Sequence, residues 1–384
     1  MRKILLVSLI ALSLEAQELA EYLNICDPKK ETCSQLHQDF EKAMLSYRQH
    51  KIKDAIDGFE KLIELTLKNK LEPAHFYNNL GLAYHYNEQQ DKALEYFNKN
   101  LKYESSKKHP NRQSLISVYN NMALAYREKE EIGKAVEYVK KGLELTIKEG
   151  DKSQLVDEYN RVGIMLRANK EYDEAIKYYQ KGIDIKLKEI PKDYPMIVTL
   201  YTDIVGSYQD KEEFDKALEV NQKVLKILKK SYPKEHPKIL ENYLFSAHLN
   251  FQKKDYDKAI EVYETLLKLA INKFGENDPS IANKIYIRIA QCWKEKRELD
   301  KSIEFYNKAL SIYKKVLPKK HPAIATTYNS IGVLYVMQGE YKKGLEFYNK
   351  ALSLARQTLE EKHQIVQMIL DNIKRVEALE KKKR

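Results

Sequence analysis

Apolar residues along most of this chain recur at helical spacing, in pairs of stripes separated by a short polar break. In one such unit the first stripe runs from Tyr328 to Tyr335, Gly339 and Glu340 interrupt it, and the second stripe begins at Leu345. Residues three, four and seven positions apart lie on one face of a helix, so each unit is predicted to be two amphipathic helices joined by a tight turn. No run rich in Val, Ile and Thr alternates with period two, and we predict no sheet.

Each unit carries a tyrosine, a small residue four positions later and a second small residue sixteen positions after the tyrosine, with Val205 replacing the first small residue once. The triplets are Tyr77/Gly81/Ala93, Tyr119/Ala123/Ala135, Tyr159/Gly163/Ala175, Tyr201/Val205/Ala217, Tyr243/Ala247/Ala259, Tyr286/Ala290/Ser302 and Tyr328/Gly332/Gly344. Gly or Ala at these positions lets two helix backbones approach closely, while aromatic side chains of the partner helix fill the remaining space.

The units repeat at a nearly fixed period. With Ala55 as the second small residue of a first unit, successive steps are 38, 42, 40, 42, 42, 43 and 42 residues. All ten prolines fall outside the stripes, and eight of them, from Pro110 to Pro322, mark breaks between units. A fixed period means that each unit buries its apolar face against its neighbours. We therefore expect one all-α array, which also fits the mean hydropathy of −0.62 and the 32% of charged residues.

The residues from Tyr77 to Tyr84, followed by Ala93 and Phe97, resemble a tetratricopeptide repeat. The usual repeat has about 34 residues, whereas the repeats here have about 42 and carry a His-Pro or similar pair at their junctions. This longer form is similar to the repeats of kinesin light chains and their bacterial relatives. The resemblance covers residues 36–360, with repeats 2, 3, 4 and 8 matching best. It implies a right-handed superhelical α-solenoid of about eight helix-turn-helix repeats.

The segment 361–384 is predicted to close the array. Ile365, Ile369, Ile373 and Val376 form an apolar stripe on a helix that is otherwise charged. A terminal repeat must present a polar outer surface, so this segment is interpreted as a capping helix with a solvated basic tail at 381–384.

The N-terminus has the order of a secretory signal peptide. A basic start, Met1-Arg2-Lys3, precedes an apolar run from Ile4 to Leu14 that is too short to span a bilayer as a mature helix. We predict a signal at 1–16, cleavage after Ala16, a periplasmic or secreted protein and no transmembrane span in the mature chain. The alternative is an uncleaved helix on a cytoplasmic protein, and mass spectrometry of the mature N-terminus distinguishes the two.

An N-terminal segment, 17–35, contains Cys26 and Cys33 on either side of a turn-like stretch. In an oxidising compartment this spacing permits a disulfide, and free thiols are the alternative. A metal site is not expected, because two Cys alone do not supply the four ligands of a structural metal site. Cys292, inside a repeat helix, is interpreted as a packed residue.

No pattern for catalysis is found. A Gly-rich phosphate loop, a Gly-x-Ser-x-Gly elbow and a His-Glu-x-x-His pair are all missing from the sequence. The nine His are dispersed, and His109, His236 and His321 precede proline at repeat junctions, where turn or capping roles are expected. We predict no enzyme, no cofactor, no metal and no small-molecule substrate. The formal charge of +11 comes from Lys spread through the second helices, so a nucleic-acid partner is not expected and oligomeric state is left open.

Binding is expected on a stripe of the first helices, one, five and eight positions after each tyrosine. In the tetratricopeptide family this stripe lines the concave groove that holds extended peptides. Asn follows the tyrosine in four repeats, and its amide can bond to both a peptide C=O and a peptide N–H. Eight positions after the tyrosine, His85, Arg127 and Arg167 favour a carboxylate. The predicted groove residues are Asn78, His85, Asn120, Arg127, Asn160, Arg167 and Asn329.

Structural roles for these residues are left open. The Asn side chains could join a network between neighbouring first helices, and the arginines could pair with Glu128, Glu130 or Asp157. The stripe lapses at Thr202, and at Leu244 and Ile287 it becomes apolar.

The main functional hypothesis is a non-enzymatic scaffold that binds an extended, acidic protein segment in its concave groove. The alternatives are an envelope protein that binds polyanions through diffuse Lys charge, and a cytoplasmic tetratricopeptide regulator.

Overall fold

The computed structural model describes residues 31–69, 73–189 and 194–383, and within these ranges it contains helices and no strand. The helices are α1 (Glu31–Arg48), α2 (Ile52–Lys68), α3 (Ala74–Tyr86), α4 (Gln90–Ser106), α5 (Arg112–Glu128), α6 (Ile132–Glu149), α7 (Lys152–Ala168), α8 (Tyr172–Glu189), α9 (Tyr194–Asp210), α10 (Phe214–Ser231), α11 (Pro237–Gln252), α12 (Tyr256–Phe274), α13 (Pro279–Ile281, Ala282–Tyr286 and Ile287–Glu295), α14 (Leu299–Val316), α15 (Pro322–Met337), α16 (Tyr341–Ala355) and α17 (Gln364–Lys383).

Consecutive helices from α1–α2 to α15–α16 pack as eight helical pairs, here called repeats 1 to 8, and α17 packs against α16. The predicted all-α array of helical repeats with a closing helix is confirmed. The chain divides into unit 1 (Met1–Glu189), whose described part holds repeats 1 to 4, and unit 2 (Ile190–Arg384), which holds repeats 5 to 8 and α17.

Close packing within a repeat depends on the small residues that the triplets predicted. A Cβ placed on Gly81 would lie 2.5 Å from a ring carbon of Phe97, and one on Gly163 would lie 2.4 Å from a ring carbon of Tyr179. Phe97 and Tyr179 are completely buried. The aromatic ring of the second helix thus occupies the space that the glycine leaves, as expected for backbones in close approach.

Junctions between repeats explain several of the prolines and histidines. The α11, α13 and α15 helices begin at a proline whose preceding side chain accepts a backbone N–H bond: His236 from Lys238 at 3.3 Å, Asp278 from Ser280 at 2.7 Å and His321 from Ala323 at 3.1 Å. Proline suits this first position because its missing N–H has no helical acceptor. The predicted capping role is therefore observed for His236 and His321.

One irregular turn in α13 was not predicted. Ala282–Tyr286 forms a π-helical turn, although the sequence indicates an ordinary first helix. Tyr286 lies seven positions after Pro279, whereas Tyr243 lies six positions after Pro237, so this is where the step of 43 gains its extra residue. A π turn accommodates one inserted residue without changing the face that the following residues present. Tyr286 consequently keeps its place against Phe305, with ring centroids 6.0 Å apart.

The α17 helix covers the end of repeat 8. Val366, Ile369 and Val376 are buried against Tyr348 and Leu352 of α16. Ile365 and Ile373, the other two members of the predicted apolar stripe, are half-buried at the same interface.

Two predictions concern residues outside the described ranges. The signal segment 1–16 lies there entirely, as does Cys26 of the suggested disulfide with Cys33.

Candidate functional site

Three of the four predicted asparagines face a neighbouring first helix. Asn78, Asn120 and Asn329 are between 6% and 8% exposed. Asn121 donates through Nδ2 to Asn78 Oδ1 at 2.9 Å, and Asn372 of α17 donates to Asn329 Oδ1 at 3.0 Å. These two bonds join α3 to α5 and α15 to α17. The contacts of Asn78 and Asn329 are therefore those of a side-chain network between neighbouring helices.

Asn120 makes a different bond across the same kind of interface. Its Nδ2 donates to Glu158 Oε1 at 2.8 Å, which joins α5 of repeat 3 to α7 of repeat 4. Since that donor is committed to Glu158, Asn120 does not present a full amide to a ligand. A direct role for Asn120 in binding peptide stays a prediction.

Asn160 is the most exposed of the four asparagines. It is half-buried on α7, and its Oδ1 is buried without a hydrogen-bond partner in the described part of unit 1. Its amide oxygen therefore has no donor among the described residues of the array, as is also true of Asn120, whereas the Oδ1 atoms of Asn78 and Asn329 each accept a bond from a neighbouring asparagine.

The basic residues eight positions after the tyrosine are half-buried on α3, α5 and α7. His85 Nδ1 lies 2.7 Å from Gln90 Oε1, and burial lowers the pKa of His85 below its ordinary 6.5 despite this bond, with a smaller lowering from the charge of Arg127. Arg127 Nη2 lies 3.0 Å from Glu128 Oε1, one of the pairings expected from the sequence. The structure thus places His85 within the electrostatic influence of Arg127.

An apolar line accompanies these basic residues, five positions after each tyrosine. Leu82 is 8% exposed, Leu124 is half-buried and Ile164 is 37% exposed. The buried centres of protein interfaces are more apolar than the rest of a protein surface, and interfaces are enriched in arginine. The apolar surface gains from leaving water when a partner binds, and the guanidinium groups pair with specific acidic groups of that partner.

The stripe has another character in unit 2. Thr202 is exposed and its hydroxyl donates to Val198 O of its own helix at 2.8 Å. Leu244, Phe251 and Ile287 are half-buried and pack against the core of repeats 6 and 7. In repeats 6 and 7 the position after the tyrosine is therefore held by a residue that packs partly in the core, Leu244 or Ile287, instead of by asparagine.

Lysines of the second helices pack on aromatic rings. Lys141 Nζ lies 4.7 Å from the ring centroid of Tyr138 and 2.6 Å from Glu137 Oε1. Lys99 of α4 and Lys308 of α14 make the same two contacts with their neighbours. Much of the dispersed positive charge is therefore paired and packed at the surface of each repeat.

Reactive groups are scarce in the described ranges. Cys292 is fully buried, and burial raises the pKa of its thiol to about 12, so it is unreactive at neutral pH. No group of three or more His, Cys, Asp or Glu that could hold a metal ion occurs among the residues described. Within the same ranges, no helix combines the length and apolarity needed to cross a membrane.

The sequence analysis did not predict three residues that bond to the candidate asparagines across the junctions between helices. Glu158 on α7 was not singled out, although it is only 2% exposed and receives the Asn120 bond. Asn121 and Asn372 were also missed, yet a signal was present: each lies 43 residues after the asparagine that it contacts.

Comparison with known proteins adds the family. A tetratricopeptide repeat model matches residues 74–148, 155–230 and 282–357, and a second one matches residues 240–270. No curated protein matches the sequence.

Solved structures with a similar fold include the apo form of the quorum sensor NprR from B. thuringiensis, at 15% identity and a TM-score of 0.50 over 91% of this chain and 95% of that one. A signal transduction ATPase with a tetratricopeptide repeat sensor from Pyrococcus horikoshii is 17% identical, with a TM-score of 0.54 over 89% of this chain and 50% of that one. A putative kinesin light chain from Podosopora anserina with nearly identical TPR-like repeats is 17% identical, with a TM-score of 0.45 over 54% of this chain and 99% of that one.

At these identities the structural likeness shows the fold, while the family models match more than half of the residues. As its repeated tyrosine and small residues predicted, the chain belongs to the tetratricopeptide repeat family.

Proposed function

We propose that unit 1 binds an extended, acidic protein segment on the first helices of repeats 2 to 4, and that the chain is a non-enzymatic scaffold. Tetratricopeptide repeat arrays generally mediate protein–protein interactions. The observation that carries the proposal here is the pair of half-buried arginines, Arg127 and Arg167, at one offset of α5 and α7, with the exposed Ile164 three residues before Arg167.

The chemistry of these groups favours carboxylates. A guanidinium binds a carboxylate through two parallel hydrogen bonds, and partial burial strengthens this interaction relative to one in bulk water. The amide of the half-buried Asn160 adds a donor and an acceptor of the kind that a peptide backbone requires. Neighbouring helices lie roughly 8–10 Å apart, a distance that an extended chain covers in about three residues. Acidic side chains spaced by about three residues therefore suit adjacent arginines.

The first test uses charge-matched variants. Arg127→Ala with Arg167→Ala is expected to weaken binding of fluorescein-labelled peptides of about twelve residues, with Glu at every third position, by roughly tenfold or more, as for a lost charged contact of about 1.5–3 kcal/mol. Fluorescence anisotropy measures the affinity. Peptides with Gln in place of Glu control for the ligand, and Lys148→Ala with Lys177→Ala, two exposed lysines on second helices, control for net charge.

Equal losses from both double variants, with a steep dependence on salt, would instead support the polyanion alternative. Asn160→Ala is the better single test of the asparagine hypothesis, because Asn120 also fastens α5 to α7.

The compartment is a separate part of the proposal. The segment 1–16 supports export, so we place the scaffold in the periplasm or outside the cell.

A further inference from the structure

A carboxyl group is buried at the junction of repeats 3 and 4. Glu158 precedes Tyr159 on α7 and is only 2% exposed. Carboxylates are almost never buried to this degree unless they are paired and hydrogen-bonded, because the charged form loses its hydration. The contacts of its two oxygens therefore decide which protonation state the site accommodates.

One oxygen of Glu158 has two donors and the other has none. Oε1 accepts from Asn120 Nδ2 at 2.8 Å and from Arg161 Nε at 3.2 Å. Oε2 is buried without a hydrogen-bond partner among the described residues, and Asn120 Oδ1 is in the same situation. Two oxygens that belong to side chains already in contact are thus both left as unsatisfied acceptors.

The unsatisfied oxygens lie beside the same glycine. A Cβ on Gly142 of α6 would lie 3.2 Å from Asn120 Oδ1 and 3.6 Å from Glu158 Oε2. Both atoms therefore border the space that this glycine leaves free between α5, α6 and α7.

The surrounding charges are few. Burial raises the pKa of Glu158 above its ordinary 4.5, and the opposing effects of Arg161 and of the Asn120 bond do not cancel it; Asp157 raises it further. Both charged residues lie on α7 itself, α5 presents the neutral Asn120, and α6 presents Gly142. The groups with the largest effects on this pKa lie on α7 and α5.

We propose that Glu158 is a proton-binding site that latches repeat 3 to repeat 4. In the protonated form Oε2–H donates to Asn120 Oδ1, while Oε1 still accepts from Asn120 Nδ2 and Arg161, so every buried polar atom of the pair is satisfied. In the ionised form Oε2 and Asn120 Oδ1 are two acceptors without a donor, and the junction is weaker. This inference does not depend on peptide binding by the groove.

The sign of the pH dependence follows from the raised pKa. The folded chain binds this proton more tightly than the unfolded chain, so stability from the latch is complete at pH below the ordinary value of 4.5. It is lost as pH rises through the folded pKa, and above that pKa the loss is constant. Within this window the unfolding equilibrium constant changes by up to about tenfold per pH unit.

Glu158→Gln is the matched variant, because its amide nitrogen donates to Asn120 Oδ1 at every pH. We expect its thermal midpoint to equal that of the wild type at about pH 4.5, to exceed it by a margin that grows as the pH rises, and to keep a constant margin above the folded pKa. Glu144→Gln, at an exposed position of α6, should follow the wild type. If the difference between the thermal midpoints of Glu158→Gln and the wild type is the same at every pH, whichever protein melts at the higher temperature, the proposal is wrong.

Infrared spectroscopy gives an independent readout that needs only the folded wild type. A protonated-carboxyl C=O band should persist above the ordinary Glu pKa of 4.5 and titrate with a single higher midpoint. If Glu158→Gln folds, that band should be missing from it and present in Glu144→Gln. A wild-type chain whose carboxyl bands all disappear near the ordinary value contradicts the latch, whatever the outcome of the peptide experiment.

Discussion

The residue two positions after the end of each first helix adopts a left-handed backbone conformation. The residues and their φ angles are His50 (58°), Glu88 (61°), Glu130 (62°), Lys170 (64°), Glu212 (59°), Lys254 (66°), Arg297 (63°) and Gly339 (81°). In repeat 4, Lys170 N donates to Arg167 O at 3.0 Å and Glu171 N to Leu166 O at 2.9 Å, which satisfies two carbonyls at the end of α7. Of these eight residues only Gly339 is a glycine, the residue type that favours a positive φ. The polar residues of the other turns therefore indicated a break between two helices but not its left-handed geometry.

Glycines at the helix crossings are predicted to be sensitive to the smallest enlargement. Gly163→Ala should lower the free energy of unfolding by about 1–3 kcal/mol, because the new Cβ would lie 2.4 Å from Tyr179. Urea unfolding followed by circular dichroism measures this change.

Gly133→Ala is the control, since nothing lies within 4 Å of a Cβ at that helical position. It should raise stability by about 0.5–1 kcal/mol. Equal effects of the two substitutions would contradict the role of Gly163 in close packing.

At the scale of elements, register is kept by adjusting single turns. The π-helical Ala282–Tyr286 absorbs the additional residue of repeat 7, so Tyr286 and Ala290 still meet α14. Ser302 fits there because its hydroxyl donates to Ala290 O at 2.7 Å. A buried hydroxyl needs such a partner, which explains how Ser replaces the usual Ala.

Deleting Asn283 should convert the π turn into ordinary α-helix. Asn283 is exposed, and its loss restores the spacing of the other repeats, so we expect unfolding free energy to change by less than about 1 kcal/mol. Deleting the exposed Glu241 from the regular α11 should instead move Tyr243 off its face and cost about 3 kcal/mol or more. Chemical unfolding of both deletions tests this, and equal losses would show that the π turn is not the place of the insertion.

At the scale of the molecule, α17 supplies the last layer of unit 2. Its role resembles that of a further first helix, because Asn372 contacts Asn329 as Asn121 contacts Asn78, 43 residues apart in both cases. The array therefore closes with half of another repeat whose remaining surface is mainly polar.

A chain that ends at residue 360 should be destabilised, since Tyr348 and Leu352 lose the cover of Val366, Ile369 and Val376. Burial of three aliphatic side chains contributes roughly 5–9 kcal/mol, so thermal unfolding should begin at lower temperature and a dye for exposed apolar surface should bind. A chain shortened only by residues 381–384 should behave as the full chain does. Unchanged melting after loss of α17 would refute its capping role.

The sequence by itself determined the helical pairs, their boundaries and the packing of small residues against aromatic ones. These features depend on contacts within a repeat, between residues about sixteen to twenty positions apart, and the period presents the same contact many times. The offset of the tyrosine also led to the stripe that contains Ile164, Arg127 and Arg167.

Only the tertiary structure decided which polar groups are bonded within the array and which are left for a ligand. Asn120 and Glu158 are 38 residues apart, on different repeats, and Gly142 on a third helix provides the space beside them. A helical pattern shows which face a side chain occupies, but not whether a neighbouring helix will take its hydrogen bonds or remove it from water. For that reason the fold followed from periodicity, whereas the distinction between Asn120, whose Nδ2 is bonded to Glu158, and the more exposed Asn160 required the packed helices.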